Sequence, residues 1–108
     1  MINDYHFHLY FDEASRESAL ALHARLEAQQ AFPVQTGPLR DGPIGPHPVA
    51  QFRATVPAGA LEAALRWYMC HHGVHAVLIH PNSGDDLLDH TLHALWLGAA
   101  LVLDASRL

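Results

Sequence analysis

The segment Tyr5-His6-Phe7-His8-Leu9-Tyr10-Phe11 alternates strictly between apolar and other side chains, and that alternation constrains the chain more than any other feature. Successive side chains of a β-strand point to opposite faces. Tyr5, Phe7, Leu9 and Phe11 therefore share one face, and His6, His8 and Tyr10 share the other. Such a strand belongs to a sheet with helices against its apolar side and a second side left for something else.

The rest of the chain supplies matching elements. Asp12 is a candidate N-cap for a helix over about Glu13 to Gln30, with Ala19, Leu22 and Leu26 as its buried stripe. Glu17, Arg25 and Glu27 stay wet, and Pro33 ends the helix. Val34-Gln35-Thr36 reads as a short strand. The stretch from Pro33 to Pro48 holds five of the seven prolines and three of the seven glycines, so Gly37 to Pro48 reads as an ordered loop. Val49 to Val56 alternates again, with Ala50, Phe52, Ala54 and Val56 toward the helices and Gln51, Arg53 and Thr55 opposite. Pro57 and Gly73 bracket a second helix, Ala58 to His72, with a stripe of Leu61, Ala64 or Leu65, and Tyr68. Val74 to His80 is a further strand stopped by Pro81. Asn82-Ser83-Gly84 is a turn, and Asp85 or Asp86 opens a short helix through about His93. Trp96 to Asp104 is apolar and fits more than one element.

The order β-α-(β)β-α-β predicts one domain over 1–108, a ferredoxin-like α+β sandwich. Its antiparallel sheet carries two helices on one face, plus a C-terminal extension. The core is expected to contain Phe7, Leu9, Phe52, Val77 and Ile79. The other face, with apolar Ala76 and Leu78 beside the histidines, must be covered by the C-terminal segment, a second subunit, or both. A homodimer is the expectation.

Composition excludes several classes. Half of the residues are apolar, enough for a real core, so the chain is not a disordered one. All six basic residues are Arg, against eleven acidic residues, for a net charge of −5. Without Lys there is no Schiff-base chemistry and no lysine-bearing phosphate loop. An acidic chain with no basic run is a poor partner for nucleic acid. Cys70 stands alone, so neither a disulfide nor a thiolate zinc cage forms within the chain. No apolar run approaches the roughly 20 residues that span a bilayer, and the N-terminus has no signal-like stretch. The expectation is a soluble cytoplasmic protein without nucleic-acid or membrane partners.

Ten histidines stand out in 108 residues. His6 and His8 on one strand face lie about 6.5–7 Å apart, close enough to converge on one metal ion or simply to form a polar, solvated face. His47 sits between Pro46 and Pro48, which limits its backbone freedom. His80 ends the strand expected beside the first and antiparallel to it, so it approaches His6 and His8. Asp89-His90 are sequence neighbours whose side chains diverge on a helix, and His93 follows one turn later. His71 and His72 fit a helix C-terminus, where imidazolium is favoured, and His23 and His75 read as structural.

Together, Tyr5 to Asp12, Gly45-Pro46-His47-Pro48, His80-Pro81, Asp89-His90-Thr91 and Trp96-Leu97-Gly98 resemble the DOPA 4,5-dioxygenase family over about Asn3 to Asp104. The resemblance implies a dimeric ferredoxin-like subunit that opens a catechol ring with O₂ at an extradiol position. It implies Fe(II), for which zinc or another divalent metal can stand in after purification. His6, His8 and His80 are then the expected metal ligands. His47 and His90 become acid–base or substrate-orienting groups, and Tyr10 and Arg53 substrate contacts. Two departures go with it. His72 stands before Gly73 where the family is expected to carry Arg, and no carboxylate is placed to complete a 2-His-1-carboxylate triad. Asp12 starts a helix instead. Two other classes remain: a metal-free small-molecule-binding or isomerase-like dimer on the same fold, and a non-catalytic metal-binding protein.

Overall fold

A computed structural model describes all 108 residues. Its strands are β1 (Asp4–Phe11), β2 (Gln35–Thr36), β3 (Ala50–Pro57), β4 (Val77–Pro81) and β5 (Leu95–Leu97). Its α-helices are α1 (Arg16–Ala28), α2 (Leu61–His71) and the short α3 (Asp86–Asp89). The strands form one antiparallel sheet in the order β2-β3-β1-β4-β5. This is the expected α+β sandwich, with β5 added at the β4 edge. No helix is long and apolar enough to cross a membrane.

The alternation in β1 does what it predicts. Phe7, Leu9 and Phe11 join Phe52, Ala54, Val56, Val77 and Ile79 in one core with Ala19, Leu22 and Leu26 of α1 and Ala64 and Tyr68 of α2. All five core residues expected from the sequence are buried. Phe7 stacks on Tyr68 with ring centroids 4.6 Å apart.

Several boundaries shift, each for a local reason. Asp12 does not cap α1. Its carboxylate accepts from the Ser15 backbone N–H and hydroxyl, both at 2.9 Å, and closes a turn ahead of a helix that begins at Arg16. At the other end, Gln29 leaves the helix, and its side-chain oxygen accepts from the Ala31 and Phe32 amides, so Pro33 is not what stops it. A 3₁₀ turn, Ala58–Ala60, precedes α2. The third full strand starts at Val77 rather than Val74. Gly73, at φ 56°, and the His75 N–H to His72 carbonyl bond turn the chain there and leave Val74 84% exposed. The short helix ends at Asp89. The apolar tail becomes edge strand β5, followed by irregular chain and a 3₁₀ turn at Ala105–Arg107.

That edge strand bears on the uncovered face. Leu78 is cross-strand partner to Trp96 and is fully buried within the single chain. Beyond β5, the Asp104 amide donates to the Pro46 carbonyl at 2.9 Å, tying the C-terminal segment to the proline-rich loop. Of the covers expected for this face, the C-terminal segment thus supplies part.

Candidate metal centre

The register of β1 assembles the site. His6 lies directly across from His80 on β4, His8 across from Arg53 on β3, and Tyr10 across from Gln51. Directly opposed residues of an antiparallel pair point to the same face. The even-numbered residues of β1 therefore meet His80, Arg53 and Gln51 on the helix-free side.

His47 arrives on a tight turn. The His47 amide donates to the Ile44 carbonyl at 3.0 Å, with Gly45 between them at φ 55°, a region that suits glycine and few other residues. His90 follows α3, whose N-terminus is capped by the Asp85 carboxylate accepting from the Leu88 amide. The five rings then form one connected cluster. Centroids are 5.1 Å apart for His6–His80, 5.2 Å for His8–His80, 4.2 Å for His8–His47 and 4.0 Å for His80–His90. All five of the histidines singled out from the sequence come together.

Their hydrogen bonds fix which nitrogens are bare. A carbonyl oxygen only accepts, so a ring nitrogen facing one must carry the proton. His80 donates from Nδ1 to the Pro81 carbonyl at 2.8 Å, and His90 from Nδ1 to the Asp86 carbonyl at 2.7 Å. His8 Nδ1 meets the Gln51 side-chain oxygen at 3.0 Å. In each neutral ring, and for His8 with the Gln51 oxygen facing it, Nε2 is left with a lone pair. Yet His8 Nε2 and His80 Nε2 face one another at only 3.1 Å. Two lone pairs at that distance repel unless a cation lies between them. Two nitrogens each ~2.1 Å from one ion and meeting near a right angle would be about 3.0 Å apart, so the pair fits a metal. Ligand-capable atoms of His6, His8 and His80 all lie within 4.8 Å of one another, and so do those of His8, His47 and His90. His8 belongs to both sets.

The electrostatics agree with neutral rings. Burial, then the neighbouring His80 and Arg53, lower His6 to about 4. Burial, then His90 and His80, lower His47 to about 4. Burial holds His8 well below its ordinary value, and His80 is lowered chiefly by burial too. Neutral imidazole is the form that binds a metal or accepts a proton.

Tyr10 has another placement than a substrate contact requires. It is 3% exposed, its hydroxyl lies 2.7 Å from His47 Nδ1, and its ring stacks on Trp96 at 5.7 Å. Arg53 does line an open cavity of about 260 Å³, whose inner wall includes His8, His47 and Gln51. The carboxylate beside His90 turns away. Asp89 is buried and accepts from the Ser83 amide and hydroxyl, with His93 Nδ1 at 3.4 Å. Burial pushes its carboxyl up, but these bonds together outweigh that and hold it below its usual range. The two candidate ligand sets consist of histidines alone. Gln51 was not singled out from the sequence, although alternation already put it on the open face, and Asp89 and Trp96 were named there without a role at the site.

Comparison with known proteins follows the same line. Residues 5–107 match the model of the Dopa 4,5-dioxygenase family. The chain is 30% identical over 114 residues to DOPA 4,5-dioxygenase of Amanita muscaria, an alignment covering 99% of this chain and 50% of that protein. It is 40% identical over 72 residues to an uncharacterized 21.2 kDa protein of Botryotinia fuckeliana, covering 59% of this chain and 39% of that one. The chain thus spans about half or less of the length of the curated relatives it matches. A crystal structure from Nostoc punctiforme, described as a "putative dioxygenase", superposes with a TM-score of 0.93 at 38% identity, over 98% of this chain and 90% of that one. With its fold and nearly its whole length in agreement, the chain belongs to the Dopa 4,5-dioxygenase family.

Proposed function

We propose that the protein is a non-heme Fe(II) extradiol dioxygenase that opens the ring of a catechol, such as DOPA, with O₂. The observation that carries this reading is the pair of bare Nε2 atoms of His8 and His80, 3.1 Å apart with both Nδ1 atoms already committed. His6, His8 and His80 hold the ion. A ferrous ion bound there would supply the redox chemistry that couples a catechol to O₂.

The remaining residues divide by their hydrogen-bond partners. Gln51 and the Pro81 carbonyl orient His8 and His80 and hold their tautomers, as outer partners of metal-binding histidines do. His47 is different, because its partner is a hydroxyl that both donates and accepts. With Nδ1–H donating to the Tyr10 oxygen, Nε2 is bare, accepts a catechol proton to give imidazolium, and returns that proton from the same nitrogen. Burial raises the Tyr10 phenol above its ordinary value, so it stays protonated and holds the ring in place without joining the transfer. His90, bare at Nε2 and at the edge of the cluster, is the second proton acceptor.

Two observations favour other readings, and both are separable. His8, His47 and His90 form an equally compact set, which would make His47 and His90 ligands. A metal-free site needs one hydrogen between the two Nε2 atoms, as when the Gln51 amide is reversed, so that its NH₂ donates to His8 Nδ1 and His8 Nε2–H donates to His80. Elemental analysis of protein prepared under ferrous, anaerobic conditions, followed by oxygen uptake with DOPA and simpler catechols, tests the proposal. One equivalent of iron, and uptake that depends on the diol and gives a yellow ring-opened product, are expected. Bound iron with no uptake would leave a metal-binding protein, and absence of metal binding would favour the reversed amide.

A further inference from the structure

Two arginines at the cavity beside the histidines have no acidic partner. The Arg40 and Gln51 backbones exchange hydrogen bonds at 2.8 and 3.0 Å, so Arg40 is paired directly with Gln51. Paired residues share a face, which puts Arg40 on the histidine side of the sheet. Arg53, two residues further along β3, lies on the same face opposite His8. Both arginines line the cavity whose inner wall is His8 and His47. Arg16 and Arg66 pair with Asp41 and Glu62, whereas Arg25, Arg40, Arg53 and Arg107 have no carboxylate within 4.0 Å. Of these four, Arg40 and Arg53 line this one cavity, which suits it to an anion. None of the ten residues lining that cavity is acidic.

We infer that the cavity takes a catechol bearing a carboxylate and no amine, its diol at the histidines and its carboxylate held by Arg40 and Arg53. The diol end rests on the ring-cleavage reading above, whereas the anionic end rests on the arginines alone. Guanidinium matches carboxylate in shape and charge, and its hydrogen bonds to an anion are strong ones. An ammonium group in the same place would meet two like charges and no carboxylate. An amino-acid catechol such as DOPA therefore gains on one group and loses on the other.

The test is binding, measured by calorimetry without O₂, so it does not depend on turnover. The probes are 3-(3,4-dihydroxyphenyl)propionate, DOPA, dopamine and 4-methylcatechol. The propionate is expected to bind about tenfold or more tighter than 4-methylcatechol and DOPA, with dopamine weakest of the four. In the Arg40→Gln/Arg53→Gln double variant the propionate to 4-methylcatechol ratio is expected to fall to about one. Both positions are exposed, so the fold tolerates the change. Equal binding of the propionate and 4-methylcatechol, DOPA binding as tightly as the propionate, or a ratio that survives the double substitution would each overturn the inference. Oxygen uptake on the same samples keeps the two proposals apart. The expected ratio without uptake removes ring cleavage and leaves the anion site. Uptake without the ratio does the opposite.

Discussion

The ten histidines divide into two groups that use the same bond differently. In the outer group, His23 Nε2 donates to the Gly37 carbonyl, His71 Nδ1 to Trp67 and His72 Nδ1 to His75, all at 2.7–2.8 Å. His75 joins the Tyr10 carbonyl to the Ser18 hydroxyl, both at 2.9 Å. These rings pin one segment to another, and His93 leans on buried Asp89 in the same way. In the inner group, His80 and His90 also donate Nδ1 to a carbonyl. What differs is the second nitrogen, which there faces another imidazole rather than solvent, a hydroxyl or, for His23, the Glu27 carboxylate. Histidine count alone therefore overstates the site twofold, and the partner of the second nitrogen separates the groups.

The sharpest way to break that distinction is His8→Ala. It should abolish both metal binding and catechol-dependent oxygen uptake with the fold retained by circular dichroism, while His23→Ala and His71→Ala keep both activities. Retained iron and activity in His8→Ala would sink the site. A smaller effect is expected from His47→Ala and His90→Ala. They should keep the metal and slow turnover by about 10²–10⁴-fold, the usual contribution of a positioned acid or base. If they lose the metal while His6→Ala keeps it, the ligands are His8, His47 and His90.

Acid probes the inner group as a whole. Unfolded, these rings have the ordinary value of 6.5, whereas His6 and His47 in the fold are held at about 4. Between those values the unfolded chain binds more protons than the folded one. The stability that the neutral rings allow at pH 7.5 is therefore lost as pH falls through 6.5 toward 4. Thermal unfolding of the metal-free protein should drop by on the order of 10 °C between pH 7.5 and 5. A midpoint independent of pH would mean the rings are already charged or solvated. The least effect on the site comes from His75→Ala. It should cost about 1–3 kcal/mol in denaturant unfolding through its buried hydrogen bonds, with iron stoichiometry unchanged.

Much of this was legible because β-structure has a period of two. Once β1 is a strand, His6, His8 and Tyr10 must share a face, and the expected order of strands brings His80 across from His6. The proline-held His47 was legible as a rigid feature, and Gly45 shows how its turn delivers it. Less legible were roles that depend on partners far apart in sequence. Tyr10 reads as an open-face side chain until Trp96, 86 positions later, stacks on it. Gln51 becomes an orienting group only because the register sets it beside Tyr10 and within reach of His8. Boundaries failed where a side chain captured a backbone amide, as Asp12 does for Ser15 and Gln29 for Ala31.

The central position of β1 has a consequence for the order in which the protein comes apart. His6 and His8 stand on a strand hydrogen-bonded along both edges, to β3 and to β4, and His80 on a strand held by β1 and β5. His47 and His90 hang from a turn and the end of a four-residue helix. Segments with few backbone bonds open at lower free energy than central strands. Amide exchange should therefore be fast around residues 44–47 and 86–90 and slowest in β1. In rising urea the proton-transfer groups then leave before the ligands part, so oxygen uptake should fail while iron is still bound. Simultaneous loss of the two would show that the rim and the central strands open as one unit.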